Sequence, residues 1–68
     1  MSKLTLKMLR AKHNLKQEDA AKMVGVSKDT WGNWERGKTT PKMETAYHIA
    51  ETFHVELDDI IFLPDIAV

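Results

Sequence analysis

Sixty-eight residues make one small domain, near the lower limit at which a single hydrophobic core outweighs chain entropy. The absence of cysteine excludes a disulfide framework and a thiolate metal site, so compact helix packing or a second copy of the chain must supply the missing stability. The formal net charge of zero argues against a nucleic-acid partner until its distribution is read: ten Lys and Arg against four acids give the first 42 positions +6, and six acids with no Lys or Arg give the last 26 positions −6.

A chain divided in this way is a dipole, with one face suited to phosphate and the other turned away from it. The longest uninterrupted apolar run, Ile60 to Leu63, is far short of a membrane span, and the first twenty residues are too charged for a signal-peptide core. The expectation is a soluble, cytoplasmic protein.

Leu4 to His13 reads as a first helix with Ser2 as its N-cap. Leu6, Leu9 and His13 share one face and Leu4, Met8 and Ala11 an adjacent one, a stripe wide enough for two neighbours. Asn14 tolerates the left-handed conformation that ends a helix, after which Leu15 turns inward.

The segment Gln17 to Gly37, QEDAAKMVGVSKDTWGNWERG, reads as a helix, a tight turn and a second helix. Ala20, Ala21 and Val24 fall on one face at helical spacing, Gly25 supplies the positive φ of a helix end, and Val26 follows as a buried plug. Ser27 is the N-cap of the next helix, which carries Trp31 and Trp34 three residues apart and stops at Gly37. That spacing turns both indoles toward the other helices and leaves positions 28, 29, 30 and 33 on the opposite side.

On these residues the sequence resembles the phage repressor and Cro type of helix-turn-helix regulators, the xenobiotic-response-element (XRE) family. The likeness runs from about Leu4 to Ile61. Its most specific pieces are Gln17 with Glu18, the Ala21-x-x-x-Gly25-Val26-Ser27 turn, the Trp34-Glu35-Arg36-Gly37 helix end, and Pro41 opening the next segment. The resemblance implies an all-α, five-helix, lambda-repressor-like DNA-binding domain over residues 1–62, followed by an apolar tail over 63–68.

It also assigns roles. Lys28, Asp29, Thr30 and Asn33 match the family's base-facing positions, and their chemistry suits the major groove: Lys donates to guanine, Asn pairs with adenine, Asp accepts from cytosine N4, and Thr touches a thymine methyl. Lys16, Gln17 and Ser27 at the two helix starts, with Arg36, Lys38, Thr39, Thr40 and Lys42 around the following loop, are the phosphate-contact candidates. Glu35 is expected to pair with Arg10 of the first helix.

Several positions admit two readings. Lys16 stands where the family usually has a Ser or Thr cap, and its charge opposes the positive helix end at a cost of ~1 kcal/mol. Either a DNA phosphate docks there, or Glu18 and Asp19 satisfy the helix end. Asp29 either reads a base or favours the helix dipole by ~0.3–1 kcal/mol. Gly32 either admits α-helix and groove to close approach or is tolerated drift, at about 1 kcal/mol relative to alanine. Trp31 replaces a smaller branched residue usual in the family, which leaves room for its ring edge to reach the DNA side.

Pro41 starts a fourth helix, Lys42 to Phe53, with Met43, Ala46, Tyr47, Ile49, Ala50 and Phe53 as its core face. His54 stands where the family prefers a glycine and Glu56 where it often has a Ser cap. Leu57 to Phe62 reads as a short fifth helix. The tail from Ile61, IFLPDIAV, is apolar, and Ile61, Phe62, Leu63, Ile66 and Val68 are the expected contacts of a homodimer, the alternative being packing on their own domain.

Three histidines do not form a catalytic or metal site: His48 and His54 are six apart, and a helix break lies between His54 and Asp58, which have the i, i+4 spacing of a helical pair. No activated nucleophile and no phosphate loop is present. The expectation is no enzyme, no metal, no cofactor and no small-molecule ligand. The predicted function is a sequence-specific regulator, a repressor of a pseudo-palindromic operator, with double-stranded DNA and a second copy as partners. The rival is an antitoxin or other protein-interaction module on the same fold.

Overall fold

In the computed structural model, which describes residues 3–62, the chain opens with a short extended pair and not with a helix. Leu4–Thr5 (β1) pairs in parallel with Ile60–Ile61 (β2), in the register Leu4 with Ile60 and Thr5 with Ile61. Thr5 is also the N-cap of the first helix, Leu6–Lys12 (α1): its hydroxyl accepts from the Met8 N–H at 3.1 Å. The helix therefore begins two residues later than expected, capped by Thr5 in the place expected of Ser2. β-Branched side chains at Thr5, Ile60 and Ile61 suit extended backbone.

Gln17–Met23 (α2) and Lys28–Arg36 (α3) form the helical hairpin, and Met43–Thr52 (α4) follows the loop that contains Pro41. The expected fifth helix over Leu57 to Phe62 is a single 3-10 turn, Leu57–Asp59, that runs directly into β2. The described residues thus hold four α-helices in place of five. Three residues give the turn too few carbonyls to propagate, and the two isoleucines after it favour the strand.

All four helices end by one device. A residue with positive φ follows each, Asn14 at 56°, Gly25 at 75°, Gly37 at 77° and His54 at 57°. The next N–H then reaches back to a carbonyl five residues earlier: Leu15 to Arg10, Val26 to Ala21, Lys38 to Asn33 and Val55 to Ala50, at 2.9–3.1 Å. This is the Schellman ending, and Leu15, Val26 and Val55 then turn inward against the core. His54 takes the left-handed conformation itself, so the glycine preferred there by the family is dispensable to the geometry.

The core is built from Leu6 and Leu9 of α1, Ala20 and Ala21 of α2, Val24, Trp31 and Trp34 of α3, Ile49 and Ala50 of α4, Phe53 and Ile60. The Trp31 ring centre lies 5.8 Å from that of Trp34 and 6.2 Å from that of Phe53, both pairs tilted. Alanines at 20 and 21 let α2 approach α3 closely. Two expectations about faces are corrected. Met8 and Ala11 are exposed, so α1 buries a narrow stripe, and on α4 Met43 and Tyr47 stand 65% and 60% exposed although their spacing reads as core.

Candidate nucleic-acid interface

Ser27 sets the start of α3: its hydroxyl accepts from the Thr30 N–H at 3.1 Å and lies 2.8 Å from the Thr30 hydroxyl. Ser27, expected at a phosphate, is engaged in holding this first turn. From there the helical repeat of about 100° per residue sends Trp31 and Trp34 inward and Asp29, Asn33 and Arg36 outward, with Lys28 and Thr30 flanking them. Lys28, Asp29 and Arg36 are exposed and Thr30 and Asn33 half-buried, while Trp31 has no exposed surface at all. The reading of both indoles as core agrees with this, and the alternative that the Trp31 ring edge reaches the DNA side does not.

The position of α3 is set from behind by Glu35. Its Oε2 accepts from Arg10 Nε at 2.6 Å and from Trp31 Nε1 at 2.5 Å, and its Oε1 from Arg10 Nη2 at 3.1 Å and Gln17 Nε2 at 3.0 Å. Arg10 Nη1 adds a bond to the Leu15 carbonyl at 3.0 Å. One carboxylate thus joins α1, α2 and α3. Burial would push the Glu35 carboxyl up, but the hydrogen bonds from Arg10, Gln17 and Trp31 outweigh it and hold the group below the usual carboxylate range. The same contact raises the pKa of Arg10.

The Arg10–Glu35 pair lies where the resemblance puts it, but Gln17 and Trp31 were missed as members. The signal for Trp31 is local: a buried indole N–H needs an acceptor, and Glu35 stands four residues on along the same helix. Gln17, a phosphate-contact candidate, donates from its amide nitrogen to Glu35. At Lys16 the backbone N–H donates to the Asp19 carboxylate at 3.2 Å, so an acid of the first turn serves this helix end, and the Lys16 side chain is left exposed.

Lys38, Thr39, Thr40 and Lys42 are exposed in the loop after α3, a short run of donors beside the outward stripe. Arg36 behaves differently from them, since its Nη2 donates to Asn33 Oδ1 at 2.5 Å. Of the residues expected at a dimer contact, Ile61 is paired within β2 and Phe62 packs against the core of its own domain; Leu63, Ile66 and Val68 lie outside the described residues. No group of three or more His, Asp or Glu residues suited to a metal ion occurs among the described residues, and no described helix is long and apolar enough to cross a membrane.

Comparison with known proteins matches residues 6–60 to the helix-turn-helix family model. The chain is 47% identical over 60 residues to an uncharacterised HTH-type transcriptional regulator of Methanocaldococcus jannaschii, covering 88% of this chain and 91% of that protein. It is 34% identical over 53 residues to the cryptic phage CTXphi transcriptional repressor RstR of Vibrio cholerae, covering 78% and 48%. With the HTH-type transcriptional activator BcrR of Enterococcus faecalis it shares 38% identity over 56 residues, covering 82% and 28%. A hairpin of α2 and α3 with two buried indoles and an outward polar stripe, matched over this length, makes the chain a member of the XRE-type helix-turn-helix family of DNA-binding transcriptional regulators.

Proposed function

We propose that the protein is a repressor that binds a pseudo-palindromic operator as a homodimer, with Lys28, Asp29, Thr30 and Asn33 of each copy facing base edges in the major groove. The observation that carries this reading is the division of α3: Trp31 and Trp34 are buried, and the polar residues on the other side are open to a partner. Lys16, Lys38, Thr39, Thr40 and Lys42 are the phosphate contacts of this reading, and they would set register without reading sequence. Repression follows from occupancy alone, since a bound dimer excludes other proteins from the same stretch of duplex.

The exposed apolar side chains of Met43 and Tyr47 on α4 support dimerisation. Tyr47 also borders an open groove lined by Ala50, Val55 and Leu57 together with the acids Glu51, Glu56 and Asp58. Met43 and Tyr47 lie on α4, and the groove on α4 and the turn after it, elements other than α3. In a two-fold dimer the two copies of α3 would lie about 34 Å apart and enter successive major grooves.

Selection of bound duplexes from a random pool, followed by gel shift at two salt concentrations, tests the reading. A two-fold symmetric consensus whose affinity falls steeply with salt is the expected result. A protein that retards no duplex, or retards all equally, is not an operator-binding repressor.

A further inference from the structure

Gly32 has no evident reason to be glycine. It lies inside α3, where no turn is made, and glycine weakens a helix interior. What its missing side chain leaves room for is a guanidinium: a Cβ placed there would stand 3.2 Å from Arg36 Nη1, 3.8 Å from Arg36 Nη2 and 3.7 Å from Gln17 Oε1. Arg36 therefore folds back along its own helix and lies across the bare backbone of Gly32. In that position its Nη2 donates to Asn33 Oδ1 at 2.5 Å. A guanidinium has only donors, so the atom it faces is the amide oxygen, and the orientation of the Asn33 side chain follows from that. Asn33 and Arg36 share the outward stripe of α3 with Asp29.

We propose that Arg36, seated over Gly32, is a specificity-determining residue: by holding Asn33 Oδ1 it makes the pair a donor surface that selects guanine over adenine. An unconstrained asparagine pairs with adenine through both ends of its amide, accepting from the N6 amino group and donating to N7. Here the accepting end is committed to a cation. An adenine amino group brought to that oxygen would meet the guanidinium N–H groups, whereas guanine offers O6 and N7 as two acceptors to Asn33 Nδ2 and the remaining N–H groups of Arg36. The role expected of Arg36 from the resemblance was a phosphate contact, which needs only its charge. The proposal rests on the assignment of α3 to the major groove and adds the base and the device that selects it.

Two variants of the full-length chain separate these roles. Arg36→Lys keeps the positive charge and loses the planar fork; Gly32→Ala keeps Arg36 and puts a methyl group where its guanidinium lies. Arg36 is exposed, and the atom nearest a Cβ at the buried Gly32 is the flexible end of Arg36; circular dichroism with thermal melting checks that each variant is folded. Each protein is titrated with a duplex selected by the parent, the same duplex with each guanine replaced in turn by adenine, and the same duplex carrying 7-deazaguanine, which lacks the N7 acceptor. The parent is expected to lose about tenfold or more in affinity at one half-site position with either replacement. Both variants are expected to lose the guanine preference at that position, and Gly32→Ala, which leaves every outward side chain in place, is expected to bind random duplex as the parent does, with the same salt dependence. Retention of that preference by Arg36→Lys and Gly32→Ala would overturn the proposal and leave Arg36 a phosphate contact. Adenine in the parent's consensus wherever Asn33 acts would overturn it as well. A parent that discriminates among no duplexes would overturn the major-groove assignment itself, before either variant is needed.

Discussion

Glu35 lies behind the outward stripe of α3 and ties that helix to α1 and α2. Four donors from Arg10, Gln17 and Trp31 converge on a side chain only 5% exposed. Arg10→Met would strand that charge and is expected to cost roughly 3 kcal/mol, toward the low end for a buried pair because Arg10 itself is 18% exposed. Thermal melting reads the cost directly; equal midpoints for mutant and parent would remove the pair from the account. The pH dependence has a definite sign. Because the folded state holds the Glu35 carboxyl below its ordinary range, its contribution is in full above the unfolded carboxylate pKa and is lost as pH falls through the folded value. The stability gap between parent and Glu35→Gln should therefore be widest near neutrality and narrow steadily on the acid side. Asp29 belongs to the same scale but to the other face of α3. Asp29→Ala should keep or raise affinity for random duplex, by removing a negative charge near phosphates, while relaxing preference at one base pair; unchanged preference across all single-base variants would leave Asp29 a helix-dipole residue.

The helix endings show what a sequence discloses of its elements. Asn14 and Gly25 are legible as stops because each is a residue that tolerates positive φ at the end of an apolar repeat. His54 is less so, since histidine visits that conformation far less readily than glycine, and it adopts φ 57° where the Val55 N–H closes on the Ala50 carbonyl. A non-glycine residue held there carries strain, so His54→Gly should stabilise the fold by about 0.5–1 kcal/mol after the entropy of the freer unfolded chain is subtracted. That corresponds to a melting midpoint higher by a few degrees. The α2–α3 hairpin was readable in full because its signals, Gly25, Ser27 and the two tryptophans, are all local. The face of α4 was misread: Met43 and Tyr47 continue the periodicity of Ala46, Ile49, Ala50 and Phe53, and spacing alone does not mark where the domain's own core stops.

At the scale of the whole molecule, the feature hidden from the sequence is the pairing of β1 with β2. It joins the two ends of the fold, with Lys3 Nζ reaching the Asp58 carbonyl at 2.6 Å, and no local pattern announces a contact between residues so far apart in sequence. It also pairs Ile61 and packs Phe62 against the core, so the dimer proposed above would use the exposed Met43 and Tyr47 of α4. Tyr47→Glu should accordingly give a monomer by sedimentation equilibrium and weaken operator binding while leaving the helical content unchanged. A dimer that survives this substitution would move the interface elsewhere. In the proposed dimer the division of charge along the chain would give one half to phosphate and the other to assembly.

The most direct measurement is a titration of the isotopically labelled protein with a selected duplex, followed residue by residue through its amide resonances. The predicted result is that the backbone of Lys28 to Asn33, the Asn33 side-chain amide and the loop from Lys38 to Lys42 shift, while Tyr47, Val55 and Leu57 stay near their free positions. Shifts concentrated on Tyr47, Val55 and Leu57, with α3 unmoved, would contradict the account.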